Sequence, residues 1–193
     1  MFNIFHIQTM NPIFNQDQFI IKEPSGLFKI NNNYNICDPK TNETIIEVKE
    51  VNTNIITKFF SFNRGYKQAT PFELIFKDKE DKPLLRVKRG WVFFNPEIEI
   101  FDQDNELIGR LSHNFLSVVG KFKVYDKNND LMGKINLKWY SGEFTFSKEG
   151  QKLGTKEANK WDKKGTTPYN VNIDPRLPKD AIERKLILAS IVL

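Results

Sequence analysis

Ile100-Phe101-Asp102-Gln103-Asp104-Asn105-Glu106-Leu107-Ile108-Gly109 is answered 24 residues later by Val124-Tyr125-Asp126-Lys127-Asn128-Asn129-Asp130-Leu131-Met132-Gly133. In both, an apolar run ends at an aspartate, crosses a polar turn and resumes as two apolar residues and a glycine. Phe76-Lys77-Asp78 precedes them at the same spacing. A looser copy runs from Phe146-Ser147-Lys148 to Leu153-Gly154, and an earlier one is Tyr34-Asn35-Ile36-Cys37-Asp38. Equal spacing of strand, turn and strand means one supersecondary unit used repeatedly, here a β-hairpin.

Outward from this cassette, strand follows strand. Residues 19–22 lead to the turn signal Pro24-Ser25-Gly26, and 34–37 and 44–49 flank a tip at Asp38-Pro39-Lys40-Thr41-Asn42. Residues 53–62 are β-branched and aromatic, and 91–94 form a short apolar run before Asn95-Pro96. The pattern pairs 72–77 with 84–88, 97–101 with 107–111, 120–125 with 131–139, and 143–146 with 152–156. About ten to twelve strands result, with no helical period among them. So many consecutive antiparallel strands curl closed, because closure removes exposed edges.

The C-terminus differs in kind. Leu177-Pro178-Lys179-Asp180 is a helix-start signal that places Asp180 near a positive helix end. The last eight residues, Leu186 to Leu193, carry no charge. A helix over 179–193 whose last eight residues are apolar all round belongs in a core or a membrane. At about 22 Å it is short for a bilayer core of about 30 Å, so burial inside the curled sheet is the preferred reading. A final strand is the alternative, since Ile191 and Val192 are β-branched. The expected fold is therefore all-β, a closed antiparallel barrel of about 12 strands around a buried hydrophobic C-terminal helix. Residues 1–14 read as an N-terminal arm, with Phe2, Ile4 and Phe5 available for pairing, and 15–193 as the barrel domain. Met10 is an alternative natural start to Met1.

A chain of 193 residues with 39% hydrophobic and 13% aromatic content is a single globular domain rather than a disordered one. A net charge of +5 and a pI near 9.1 favour acidic partners only mildly, and simple solubility is the preferred reading of a charge of that size. The lone Cys37 excludes an internal disulfide and reads as a small buried hydrophobe. The first 21 residues contain no Lys or Arg and no continuous apolar run, so no signal peptide is expected, and the chain reads as soluble and cytoplasmic.

Asp126-x-Asn128-x-Asp130 and Asp102-x-Asp104-x-Glu106 have the oxygen spacing that opens a calcium loop. Position six is Leu131 or Leu107 instead of glycine, and position twelve is Leu137 or His113 instead of glutamate, so the hairpin-tip reading is preferred. The two histidines, His6 and His113, have no local triad partners, and the ten glycines form no phosphate loop. No catalytic residue, cofactor or metal ligand is assigned, and no enzyme is expected.

Basic surface is the remaining signal. Alternation turns Phe122, Val124, Ile135 and Leu137 to one side and Lys121, Lys123, Lys134 and Lys138 to the other. Arg86, Lys88 and Arg89 form a second cluster. Lys160, Lys163 and Lys164 surround Trp161, a composition suited to a headgroup boundary. The plainer reading is a solvated face, with Glu97 and Glu99, one cassette away, pairing with Lys121 and Lys123.

A barrel closed around a hydrophobic C-terminal helix resembles the Tubby C-terminal-like superfamily, and within it the phospholipid scramblase and LURP-one-related branch. Tyr34-Asn35-Ile36-Cys37-Asp38 is similar to its first hairpin, and Leu131-Met132-Gly133-Lys134-Ile135 with Trp139 to its stretch before the late strands. Asn172-Ile173-Asp174 through Ala181 to Leu193 is similar to its closing segment, and Asn11-Pro12-Ile13-Phe14-Asn15-Gln16 resembles the opening of bacterial members of unassigned function. The likeness covers roughly residues 11 to 193. The chain departs from animal scramblases in lacking their Pro-rich arm and cysteine cluster, and the acids Glu157, Asp162, Asp174 and Asp180 are too scattered for a calcium loop. The resemblance implies a non-enzymatic module at or near anionic phospholipid, peripheral to the membrane. The contact candidates are Lys121, Lys123, Lys134, Lys138, Lys160, Trp161, Lys163 and Lys164. The alternative is a protein-interaction or structural domain with no lipid role and an unknown protein partner. Nucleic acid is disfavoured, because the aromatics alternate inward and offer no stacking platform.

Overall fold

A computed structural model describes residues 11–22, 33–51, 71–90, 97–113, 120–138, 140–159 and 168–193. Within them lie twelve strands: β1 (Gln18–Lys22), β2 (Tyr34–Cys37), β3 (Thr44–Glu50), β4 (Phe72–Asp78), β5 (Pro83–Arg89), β6 (Glu97–Asp102), β7 (Leu107–His113), β8 (Gly120–Asp126), β9 (Leu131–Lys138), β10 (Glu143–Lys148), β11 (Gln151–Ala158) and β12 (Tyr169–Ile173). Each pairs antiparallel with its neighbours in sequence, and β1 pairs with β12, so the sheet is a closed barrel. The expected strands at 53–62 and 91–94, the turn at Pro24-Ser25-Gly26 and the pairing of Phe2, Ile4 and Phe5 lie outside the described residues.

The cassette aspartates explain the repeat. Asp78, Asp102 and Asp126 each accept two backbone N–H groups on Oδ1, from Glu80 and Lys82, from Asp104 and Glu106, and from Asn128 and Asp130, at 2.8–3.0 Å. Asp38 does the same for Lys40 and Thr41 at the first hairpin. Each tip then needs one residue in the left-handed region, taken by Asp81 (φ 63°), Asn105 (φ 63°) and Asn129 (φ 70°), residue types that tolerate it. The carboxylates that imitate a calcium loop are turn-makers.

β12, the strand that closes the ring, is not legible as a strand in the sequence. Tyr169-Asn170-Val171-Asn172-Ile173 is short and carries two asparagines, a residue depleted in strands. Its place comes from partners on both sides, with Val171 opposite Phe19 of β1 and Lys156 of β11.

The inner wall is apolar and the C-terminus fills it. Helix α1 spans Ile182–Ala189 and tightens into a 3-10 turn at Ser190–Val192. The helix is shorter than the expected 179–193. Ala181 stays extended (φ −61°, ψ 131°) as the chain turns in from β12, and Glu183 rather than Asp180 occupies the first turn. Leu186, Ile187, Leu188, Ala189 and Ile191 are fully buried, which excludes the alternative of an outer final strand. Two glycines make room for this plug. A Cβ on Gly109 would lie 2.6 Å from a Leu186 methyl, and one on Gly154 would lie 2.8 Å from Ile187. Gly133 instead admits the Phe146 ring, whose edge is 2.7 Å from where a Cβ would stand.

One mouth of the barrel is sealed by charge. Arg184, fully buried, donates to the carbonyls of Phe14 and Gln16 (both 2.7 Å) and to the Asp17 carboxylate (2.5 Å). Asp17 also receives Lys179 at 2.7 Å. Burial pushes the Asp17 carboxyl up, but hydrogen bonds from Lys179 and Arg184 outweigh it and hold the group below its ordinary value. The accepting carbonyls belong to Pro12–Asn15 and the residue after it, a 3-10 turn capped by Asn11 that buries Phe14. Deeper in, Lys156 points inward from β11 and donates to the Ile191 carbonyl at 2.7 Å, neutralising the end of the plug.

Candidate functional site

Charged side chains also line the outer wall, and register decides which of them meet. Across β4 to β7 one row reads Glu73, Lys88, Glu99, Arg110, acid and base alternating from strand to strand. Arg86 pairs with Glu73 at 2.6 Å and donates to Asn105 on the next tip at 2.6 Å. Arg110 donates in the same way to Asn129, 24 residues further on. Arg89 is not on this face: alternation turns it to the inner side with Val87, where it lies over the Phe72 ring, 4.6 Å from its centroid. The second basic cluster of Arg86, Lys88 and Arg89 is thus absorbed by acids and an aromatic.

The next hairpin breaks this alternation. Lys121, Lys123, Lys134 and Lys138 are all exposed on the outer face of β8 and β9, as the sequence pattern predicts. Lys123 stands directly opposite Lys134, and Lys121 opposite Asn136. Opposed side chains start about 5 Å apart at Cβ, and like charges there are destabilising. Glu97 and Glu99 do not relieve them. One cassette is two strands, so β7 intervenes, with Glu97 facing Ser112 and Glu99 facing Arg110. Among the described residues Lys121, Lys123 and Lys134 form no ion pair. Lys138 does, with Glu143 at 3.1 Å. That hydrogen bond raises the Lys138 ammonium above its ordinary value, and the bonds from Lys138, the Ala158 amide and Ser141 hold Glu143 below its own.

The repeat itself explains why Lys134 is left without a partner. It occupies the cassette position of Arg86 and Arg110, each of which reaches an asparagine on the following tip. The following tip here is the shorter Glu149-Gly150 turn, and the residue 19 positions on, as Asn105 is from Arg86 and Asn129 from Arg110, is the buried Leu153.

Two residues that the sequence reading passed over complete the row. Ser112 of β7 faces Lys123, and Ser147 of β10 faces Lys134, so four neighbouring strands present hydroxyl, ammonium, ammonium, hydroxyl. The row beside it reads Lys121, Asn136, Thr145, Thr155. Neither row contains a carboxylate. Ser147 was findable, since it stands 24 residues after Lys123, itself 24 after Glu99. Tyr140, 88% exposed in the turn after Lys138, was also missed; exposed tyrosine suits a headgroup boundary. Lys160, Trp161, Lys163 and Lys164 lie outside the described residues.

The interior offers little chemistry. Ser112 and His113 are adjacent in sequence, but strand alternation puts the serine outside and the histidine inside, against the Phe122 ring at 4.8 Å. Burial lowers the His113 pKa. Burial also lowers Lys156, to about 8, and its ammonium sits 4.8 Å from the Tyr169 ring centroid. Among the described residues no group of three His, Cys, Asp or Glu side chains is arranged to hold a metal ion. No helix among them is long and apolar enough to cross a membrane.

Fold and site together define the class: a twelve-stranded closed antiparallel barrel, plugged by its C-terminal helix, with a lysine-rich arc on its outer wall. Comparisons with protein-family models, with curated proteins and with solved structures find no match to the chain.

Proposed function

We propose that this protein is a non-enzymatic module of the Tubby C-terminal-like kind, in the scramblase and LURP-one-related branch, that docks peripherally on anionic phospholipid from the cytoplasm. A closed barrel around a C-terminal helix is the architecture that the resemblance implies. The observation that carries the lipid reading is the direct opposition of Lys123 and Lys134, both exposed and in no ion pair among the described residues, with Lys121 beside them. A solvated face gains nothing from setting lysine against lysine, whereas an anionic surface relieves the repulsion. Each lysine near such a surface contributes about 1 kcal/mol, so three give reversible docking. The candidates Lys160, Trp161, Lys163 and Lys164 belong to the same reading by their composition.

Flotation of the purified protein with neutral and anionic liposomes, at low and high salt, tests this. Attachment should require anionic lipid and fade as salt rises. Absence of attachment under every condition retires the lipid reading and leaves a protein-interaction domain, to be pursued by pull-down.

A further inference from the structure

Resting on the lipid-docking reading, we infer that the Lys123–Lys134 pair selects a phosphomonoester headgroup, the bare terminal phosphate of a phosphatidate-type lipid, over phosphodiester lipids of equal total charge. Three features of the face lead there. First, the two ammonium groups rise from directly opposed positions on β8 and β9, so both can reach one phosphate. A phosphomonoester carries between one and two negative charges and three strong acceptor oxygens, whereas a phosphodiester carries one charge and has two of its oxygens in ester links. A pair of cations held close together is matched by the dianion. Second, Ser112 and Ser147 flank the pair on β7 and β10, placing a hydroxyl donor on each side for the remaining oxygens. Ser147 at present spends its hydrogen on the Lys134 carbonyl at 3.5 Å, a long contact that a phosphate oxygen can replace. Third, the outer wall of a closed barrel is convex. A convex face touches the group that projects furthest but cannot surround a sugar or an amino-acid headgroup, so it reads the phosphate alone.

Lys121 is the internal control. It lies two residues along β8 from Lys123, faces Asn136 rather than a second cation, and contributes the same formal charge. It therefore adds to general attraction without forming the paired site.

The test is flotation with phosphatidylcholine vesicles that contain either phosphatidic acid or phosphatidylserine, with the mole fractions adjusted to equal surface charge. The expected result is attachment at least about fivefold stronger to phosphatidic acid, from charge-assisted hydrogen bonds that phosphatidylserine cannot match. Lys123→Met and Lys134→Met should each bring the ratio to about one, while Lys121→Met should weaken both lipids alike and preserve the ratio. All three positions are exposed, and circular dichroism of each variant checks that the barrel is intact. Equal binding of the wild type to both lipids overturns this inference and leaves the anionic-lipid reading standing. A preference that survives Lys123→Met and Lys134→Met overturns the assignment to the pair. Attachment to neither lipid overturns both the inference and the reading beneath it.

Discussion

Two hairpins one cassette apart, β6–β7 and β8–β9, share a backbone plan and differ in what they show the outside. Both begin their turn with an aspartate that binds two N–H groups, place an asparagine in the left-handed region, and recess a glycine on the returning strand. On the outer face the first hairpin sets Glu99 against Arg110, and Arg110 ties down the next tip. The second sets Lys123 against Lys134 and ties down nothing. The comparison teaches that the repeat constrains the wall and the turn, while exterior positions are free to carry a different task. Glu97 and Glu99 become Lys121 and Lys123 at equivalent positions without altering the fold.

The largest effects should come from what the two hairpins share. Gly109→Ala drives a Cβ to 2.6 Å from Leu186 and 2.8 Å from the Tyr125 carbonyl, and Gly133→Ala meets Phe146 and the Ser147 carbonyl at 2.7 and 2.8 Å. Neither neighbouring carbonyl can retreat without distorting the next strand. Each variant should lose about 3 kcal/mol, read as a lowered denaturant midpoint. A loss in only one of them would show that the hairpins are not equivalent inside.

The lysine buried inside the wall should show itself in the pH dependence of stability. Lys156 is held at about 8 by burial, whereas an unfolded lysine titrates near 10.5. Between those values the unfolded chain binds more protons than the native one, so stability rises with pH from about 8. A shift of that size corresponds to roughly 3 kcal/mol. Burial pushes the Tyr34 hydroxyl up to about 12, so the native state holds that proton longer than the unfolded chain and stability falls again above about pH 10. Thermal melts across this range should show the rise, and Lys156→Met should flatten it.

A smaller effect tests the exterior directly. Lys123→Glu restores the acid–base opposition of β6–β7 on β8–β9, and attachment to anionic vesicles should fall about tenfold or more. The smallest effect has the opposite sign. The same substitution should raise stability by about 0.5 kcal/mol, because a like-charge pair becomes an opposite-charge one. The converse, Glu99→Lys, should cost about as much and strengthen vesicle attachment. If Lys123→Glu were no more stable than the wild type, the opposed lysines would not be under electrostatic load, and the site would lose its physical basis.

Much of this was written in the chain. The period of 24, the aspartate at each turn and the apolar C-terminus determined an antiparallel barrel with a buried helix, because local hydrogen bonding and alternation act within a few residues. They also placed Lys121, Lys123, Lys134 and Lys138 on one face, since period-2 alternation needs no long-range information. Tertiary structure decided the rest. β12 is a strand only because β1 and β11 hold it on both sides. Arg184, a charged residue at the start of the C-terminal helix, is fully buried because Phe14, Gln16 and Asp17 come to it from the other end of the chain. Which lysines are paired was a matter of register across strands. It left Lys138 with Glu143, kept Glu97 and Glu99 two strands from Lys121 and Lys123, and set Lys123 against Lys134. Register depends on turn length and bulges summed around a closed ring, and no single stretch of sequence contains that sum.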